Sequence, residues 1–223
     1  MKLSVREAAR LLSVSESELY HWIEDGEIPF YMVNHQPLFN REELLEWATA
    51  HKLRLSVELF ADGAQPVQLG DAIVRGGVHH GLSCTDRAGA LRAAVARLPI
   101  ADEAERELVL DIMLARESEA STGVGKGIAI PHVRSPLVFA GEAPAIALCF
   151  LEQPIDFGAI DQQPVTTLFV MMTPTVQVHL QLLSRLSVAL HDAAFVAVLA
   201  RRADADAVLA EARRIDLALD QPR

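Results

Sequence analysis

The chain has 223 residues, 51% hydrophobic and 22% charged, with 30 acidic side chains against 20 Lys and Arg and a formal charge of −10. This is globular composition; it excludes a disordered chain and lacks the basic excess of a general nucleic-acid coat. The longest apolar runs, Ala143–Leu151 and Leu168–Met172, fall short of the roughly 18 residues that a membrane helix needs. Met1 leads into Ser4-Val5-Arg6-Glu7 without the apolar stretch of a signal peptide. Two cysteines, Cys84 and Cys149, are too few for a disulfide framework or a zinc site. A cytoplasmic protein with no metal and no other cofactor is expected.

Three short helices are predicted in the first 50 residues, each opened by the same chemistry. Ser4, Ser15 and Asn40 each stand three residues before a glutamate, Glu7, Glu18 and Glu43. In a capping box the first side chain takes the third amide and the glutamate returns to the cap amide. The first helix carries Val5, Ala8, Ala9, Leu11 and Leu12, and Ser13-Val14 turns into the second. That helix buries Leu19, Trp22 and Ile23 and stops at Asp25-Gly26. Ile28-Pro29 to Leu38-Phe39 suits a hairpin or wing, and Leu44, Leu45 and Trp47 supply an apolar side to the third helix.

Helix, tight turn, helix, wing, helix is the order of a winged helix-turn-helix. Ser4-Val5-Arg6-Glu7-Ala8-Ala9, Tyr20 through Pro29, and Leu44-Leu45-Glu46-Trp47 resemble the excisionase and MerR-like DNA-binding domains. The resemblance implies a small, mainly helical domain over residues 1–52. It points to the outer face of the second helix as the reading surface, with Ser17, Tyr20 and His21 as the candidates for contact with DNA. That face otherwise carries Glu16 and Glu24 and has no Lys or Arg. Residues 1–54 hold six basic side chains against nine acidic ones. An acidic reading helix opposes the attraction through which DNA sites are approached, so an interaction or dimerisation module is the competing expectation.

Residues 53–66 read as a linker, and a second domain is expected over 67–219. Ala88–Leu98, Asp102–Arg116, His179–His191 and Ala203–Ile215 read as helices, whereas Ile128–Ile130, Ala145–Leu151 and Val165–Met172 read as strands. Their alternation predicts an α/β domain with helices flanking a sheet. Cys149 lies in an apolar run and is expected to be a buried small hydrophobe. His79 and His80, adjacent in a glycine-rich stretch, are expected in a loop, and Arg134 is a surface charge that could face a partner.

The run from Arg116 through His132 holds the chemistry. Gly123, Gly125 and Gly127 alternate before the apolar Ile128-Ala129-Ile130, and Pro131 delivers His132 at its end. A Walker A loop fails, because Ala120 and Gly127 occupy its first glycine and hydroxyl positions. A dinucleotide fingerprint fails because the run follows a predicted helix and opens a strand. What remains is a glycine-rich turn able to bring amides near an anion, beside a rigidly placed imidazole. A neutral imidazole nitrogen is a competent nucleophile when the other nitrogen is held as a donor.

Arg116-Glu117 followed by Ser121-Thr122-Gly123-Val124-Gly125-Lys126-Gly127-Ile128-Ala129-Ile130-Pro131-His132 resembles the enzyme IIA domains of the fructose/mannitol type in bacterial sugar phosphotransferase systems, including their nitrogen-regulatory relatives. Pro154-Ile155-Asp156-Phe157, Pro164-Val165 and His179 through Leu183 extend the similarity. The resemblance implies a mixed sheet flanked by helices and a phosphoryl donor of the HPr type. It makes His132 the phosphoacceptor, reacting through the ring nitrogen remote from the backbone. Arg116 and His179 match the family arginine and second histidine. Ser121, Thr122 and the amides of Gly123, Gly125 and Gly127 are the expected phosphate donors. His179 also shares a predicted helix face with Leu182, Leu183, Leu186 and Leu190, at a helix N-terminus. The expected role is a regulatory phosphocarrier. A DNA-binding regulator with a phosphorylation sensor and a carrier feeding a sugar transporter are the alternatives.

Overall fold

Ser4 opens α1 (Val5–Leu12) with both halves of a capping box: its hydroxyl takes the Glu7 amide while the Glu7 carboxylate accepts the Ser4 N–H at 2.8 Å. Ser13 then turns left-handed, φ 56°, and Ser15 caps α2 (Glu16–Glu24) through the Glu18 amide at 3.2 Å. Gly26, at φ 68°, ends α2 as the Asp-Gly signal predicted. The wing is β2 (Tyr31–Val33) antiparallel to β3 (Gln36–Asn40), and α3 (Arg41–Ala50) follows. Pattern reading missed β1 (Lys2–Ser4), which pairs with β3 and completes a three-stranded sheet in the order β1-β3-β2. Three residues with one inward side chain, Leu3, are too short for a periodic signal.

The computed structural model describes residues 2–33, 36–51, 67–133 and 143–221. The linker at 53–66, the wing residues Asn34 and His35, and Arg134 lie outside the described residues.

The second domain is built on a five-stranded mixed sheet in the order β4-β7-β8-β6-β5. Its members are β4 (Val78–Leu82), β5 (Gly123–Gly125), β6 (Ile128–Ala129), β7 (Ala145–Ile155) and β8 (Val165–Met172). The central pair is antiparallel, while β4 runs parallel to β7 and β6 parallel to β8. Along β7, Ala145, Ala147, Cys149 and Leu151 face one apolar layer and Ile146, Leu148 and Phe150 the other. A strand buried on both faces reads as a continuous apolar run, which is why β7 and β8 were legible. Helices α5 (Arg87–Val95) and α6 (Glu103–Glu119) cover the first layer; α4 (Leu69–Gly76), α7 (Val176–His191), α8 (Ala193–Ala200) and α9 (Ala205–Asp220) cover the second. Among the described residues no single helix is long and apolar enough to cross a membrane.

One loop expectation is corrected. His79 and His80 stand on β4, where the His79 Nε2 lies 2.8 Å from the Gly76 carbonyl and the His80 ring stacks on Phe150 at 4.8 Å. A half-buried His79 beside an exposed His80 in a five-residue edge strand gives no apolar alternation. The expected glycine-rich turn closes a hairpin, β5 paired with β6, because Lys126 and Gly127 take positive φ and turn the chain back. Helix α4 was also unread. Its last residue, Gly76, approaches β7 so closely that an added Cβ would lie 2.2 Å from the Ile146 backbone.

A buried ion pair ties the helices of the second layer together. Arg185 of α7 donates to Asp216 of α9 at 2.9 Å, and both side chains are 3% exposed. The same Asp216 carboxylate accepts the Leu69 and Gly70 amides at the start of α4, at 3.0 and 2.8 Å. The partial positive charge of a helix N-terminus thus adds to the guanidinium.

Candidate active site at the ends of β6 and β8

The parallel pair β6 and β8 ends where the two singled-out histidines meet. Beyond β6 the chain continues as Ile130-Pro131-His132, and His132 bridges Met171 in parallel register. Backbone bonds hold it on both sides: the Ile130 N–H donates to the Thr122 carbonyl at 3.0 Å, the Met171 N–H to the Pro131 carbonyl at 2.9 Å. Beyond β8, Thr173 leads through the Thr175 cap into α7, whose fourth residue is His179. The helix starts three residues before the predicted His179, because Thr175 accepts the Val178 amide. Carboxyl ends of parallel strands are the usual location of ligand sites in open α/β sheets.

The ring of His132 is 5% exposed, and its Nδ1 lies 2.6 Å from the Ile130 carbonyl oxygen. A carbonyl only accepts, so in the neutral ring Nδ1 carries the proton and Nε2 keeps its lone pair. The His179 ring, 3% exposed, sits with its centroid 5.0 Å from that of His132, tilted by 45°. Its Nδ1 is 3.3 Å from the Thr173 hydroxyl. Arg116, in the last turn of α6 and 8% exposed, donates from Nη1 to the Ala120 carbonyl at 2.7 Å and lines the same cleft as His132.

The predicted phosphate-binding residues divide. Ser121, Thr122 and Gly123 line the cleft beside His132. The Ser121 hydroxyl donates to the Phe157 carbonyl at 2.6 Å and accepts the Gly123 amide at 3.0 Å. Gly125 and Gly127 sit at the other end of the hairpin and do not line that cleft. Their positive φ, 85° and 74°, serves the turn. Around it the Lys126 amide donates to Asp161 at 2.7 Å, and the Gly127 carbonyl accepts the Thr166 and Thr167 amides. Ser17, Tyr20 and His21 form a separate exposed face on α2, with the His21 Nε2 3.4 Å from Asp25.

Sequence reading overlooked Glu117 as a site residue. Only 3% exposed, it accepts both the Thr122 N–H at 3.0 Å and the Thr122 hydroxyl at 2.6 Å. Burial pushes its carboxyl above the ordinary value; the bonds from Thr122 and Ser121 and the Arg87 guanidinium, 3.9 Å away, work in the opposite direction. A signal existed: Val109, Met113 and Glu117 recur every four residues, so the acid falls on the core face of α6. Also overlooked were Glu43, Trp47 and His51 of the first domain, which form the opposite wall of the cleft.

The mixed sheet thus carries paired histidines at its carboxyl edge, behind a small helical domain with a three-stranded sheet. Residues 75–213 match the family described as "Phosphoenolpyruvate-dependent sugar phosphotransferase system, EIIA 2", and residues 3–52 match "Helix-turn-helix domain". The chain belongs to the EIIA 2 family of that system. It is 42% identical over 85 residues to the fructose-specific EIIA component of Haloferax volcanii, covering 37% of this chain and 53% of that protein. It is 38% identical over 87 residues to a nitrogen regulatory protein of Pseudomonas aeruginosa, covering 38% and 54%. The chain thus spans about half the length of these curated relatives. The crystal structure of nitrogen regulatory protein IIA-Ntr from Neisseria meningitidis superposes with a TM-score of 0.57 at 24% identity, covering 65% of this chain and 98% of that one, a likeness of fold.

Proposed function

We propose that His132 accepts a phosphoryl group on Nε2 from the phosphohistidine of an HPr-type carrier, making the chain a regulatory phosphocarrier that reports nitrogen or carbon status. The observation that carries this reading is the 2.6 Å contact of Nδ1 with the Ile130 carbonyl, which presents Nε2 as the nucleophile. The Nε2 lone pair forms the new N–P bond as the donor's N–P bond breaks, and the donor nitrogen keeps the electron pair. Nδ1 keeps its proton throughout, donating it to the Ile130 carbonyl oxygen. Charge spread over the three phosphoryl oxygens has Arg116 and His179 as its partners, with the Gly123 amide nearby. Thr122, held by both Glu117 oxygens, contributes by fixing the loop that carries Ser121 and Gly123.

The test is intact-mass spectrometry at neutral to mildly basic pH, because phosphohistidine is acid-labile. The protein is mixed with phosphoenolpyruvate, enzyme I and an HPr-type carrier, beside His132→Ala and a known enzyme IIA. One phosphoryl on the wild type and none on the variant is expected. An unlabelled wild type beside a labelled control, with the host's own carrier also failing, would refute it. Downstream, the group or the signal passes to a regulatory target or a transporter subunit, which a transfer assay with candidate acceptors distinguishes.

A second reading, a DNA-binding regulator whose second domain is the sensor, is supported by the helix-turn-helix match and by the exposed Ser17, Tyr20 and His21 on α2. It requires sequence-specific binding with a steep salt dependence.

A further inference from the structure

The first domain is seated on the face of the second that carries His132. Helix α3 packs against α7 and β5. Leu180 of α7, 3% exposed, is buried within the core of the first domain, with Val176 packed beside it. At this seam lies a cleft of about 290 Å³, walled by Glu43, Trp47 and His51 on one side and by Arg116, Thr122 and His132 on the other. The Trp47 wall is itself fixed: its indole N–H donates to the Glu27 carbonyl at 2.6 Å, and its ring stacks on His51 at 4.3 Å.

A phosphohistidine carried on a protein surface must bring its phosphorus in line with Nε2, within about 3–3.5 Å. A cleft of this size admits a small molecule and excludes a protein surface, and His132 behind it is 5% exposed. Donor and first domain therefore require one face. We propose that the helix-turn-helix domain is an intramolecular competitor of the phosphoryl donor: docked through α3 it shields His132, and a phosphoryl group on His132 holds it undocked. This inference rests on the phosphoacceptor reading above. A phosphoryl group brings about −1.5 to −2 charges into a cleft whose opposite wall carries the Glu43 carboxylate. Arg116 stands on the phosphoryl side of the cleft, so it stabilises the new charge without holding the domain down. Undocking uncovers the α3 face and Leu180 together, apolar surface that the unphosphorylated chain hides. The α2 face with Ser17, Tyr20 and His21 is exposed even in the docked form, so the surface that changes is that of α3.

Both tryptophans, Trp22 and Trp47, belong to the first domain, and Trp47 lies at the seam. Their emission in the full chain therefore reports docking. The experiment follows phosphorylation of the full chain by phosphoenolpyruvate, enzyme I and an HPr-type carrier, by intact mass and tryptophan emission together, for the wild type and Leu180→Ala. Accessibility of His132 scales with the undocked fraction, so Leu180→Ala is expected to be phosphorylated about tenfold faster. Phosphorylation is expected to red-shift the wild-type emission and raise its quenching by acrylamide, and His132→Ala is expected to show neither. Should Leu180→Ala lose its fold, His51→Ala loosens the same wall from an exposed position. Equal rates with unchanged emission on a phosphorylated wild type would overturn the competition and leave the phosphoacceptor standing. No phosphoryl on either chain, beside a labelled control enzyme IIA, would overturn the phosphoacceptor reading and the competition with it.

Discussion

The two domains place their candidate chemistry in opposite ways. On α2 the residues singled out for contact, Ser17, Tyr20 and His21, are exposed, and the His21 ring has an Asp25 carboxylate 3.4 Å away. At the end of β6, His132, His179, Arg116 and Glu117 are all below a tenth exposed, and each has a fixed neighbour. A buried polar group without a partner is costly, so burial forces a definite geometry on it. An exposed one is satisfied by water in many orientations. The buried cluster can therefore be argued as chemistry from its geometry, whereas the α2 face specifies a surface and leaves its ligand to composition.

Substitutions can sharpen or break this contrast, beginning with the buried ion pair. Asp216→Ala leaves the buried Arg185 guanidinium to Asp220 alone and two amides of α4 without an acceptor, and is expected to cost about 3 kcal/mol. Urea unfolding of the second domain measures it; a loss under 1 kcal/mol would mean that water reaches this pair.

Glu117→Ala leaves the Thr122 N–H and hydroxyl unanswered and is expected to cost about 2 kcal/mol and to slow phosphorylation of His132. Glu117→Gln keeps one acceptor for the amide and offers an N–H to the hydroxyl, so it should restore most of the rate. The two also separate in pH. Because burial raises the Glu117 pKa above its ordinary 4.5, the native state binds more protons than the unfolded one from that value upward. Stability therefore falls as pH rises from about the unfolded pKa through the raised native one, then levels. The Gln variant should lack that portion of the slope, and a slope equal to wild type would remove Glu117 from the account.

Ser4→Ala removes one hydroxyl cap and is expected to cost the first domain about 1 kcal/mol, read from its thermal transition. Tyr20→Ala and His21→Ala are expected to change stability by no more than about 0.5 kcal/mol. If either proves strongly destabilising, the α2 face is a packing surface and the contrast with the His132 cluster collapses. The thiols give a last check: burial pushes Cys149 up to about 12, so it should resist alkylation in the folded chain.

Much was legible locally because local physics decided it. Ser4, Ser15 and Gly26 begin or end helices through contacts within four residues, and the wing lies between two such signals. Val165–Met172 is a strand at its predicted bounds, since a sheet interior buried on both faces demands an unbroken apolar run. The alternating glycines, the proline and the histidine that ends them stand in one stretch of chain, so the Nδ1 contact with a carbonyl two residues back was within reach of sequence.

Tertiary structure alone decided the rest. His79 and His80 joined the sheet because β7 offered an unpaired edge, and no apolar alternation announces such a strand. Gly125 and Gly127 belong to a hairpin tip whose Lys126 amide and Gly127 carbonyl are held by Asp161 and Thr166, some forty positions downstream. Glu117 acquired its role when the Thr122 loop folded back on α6. The wall of Glu43, Trp47 and His51 stands across the cleft because α3 packs on α7 and β5, with Leu180 in the first domain's core. Caps, turns and apolar periods are set by neighbours in the chain and can be read from it. Which distant groups share a buried site depends on how the layers close, and only the folded molecule supplies that.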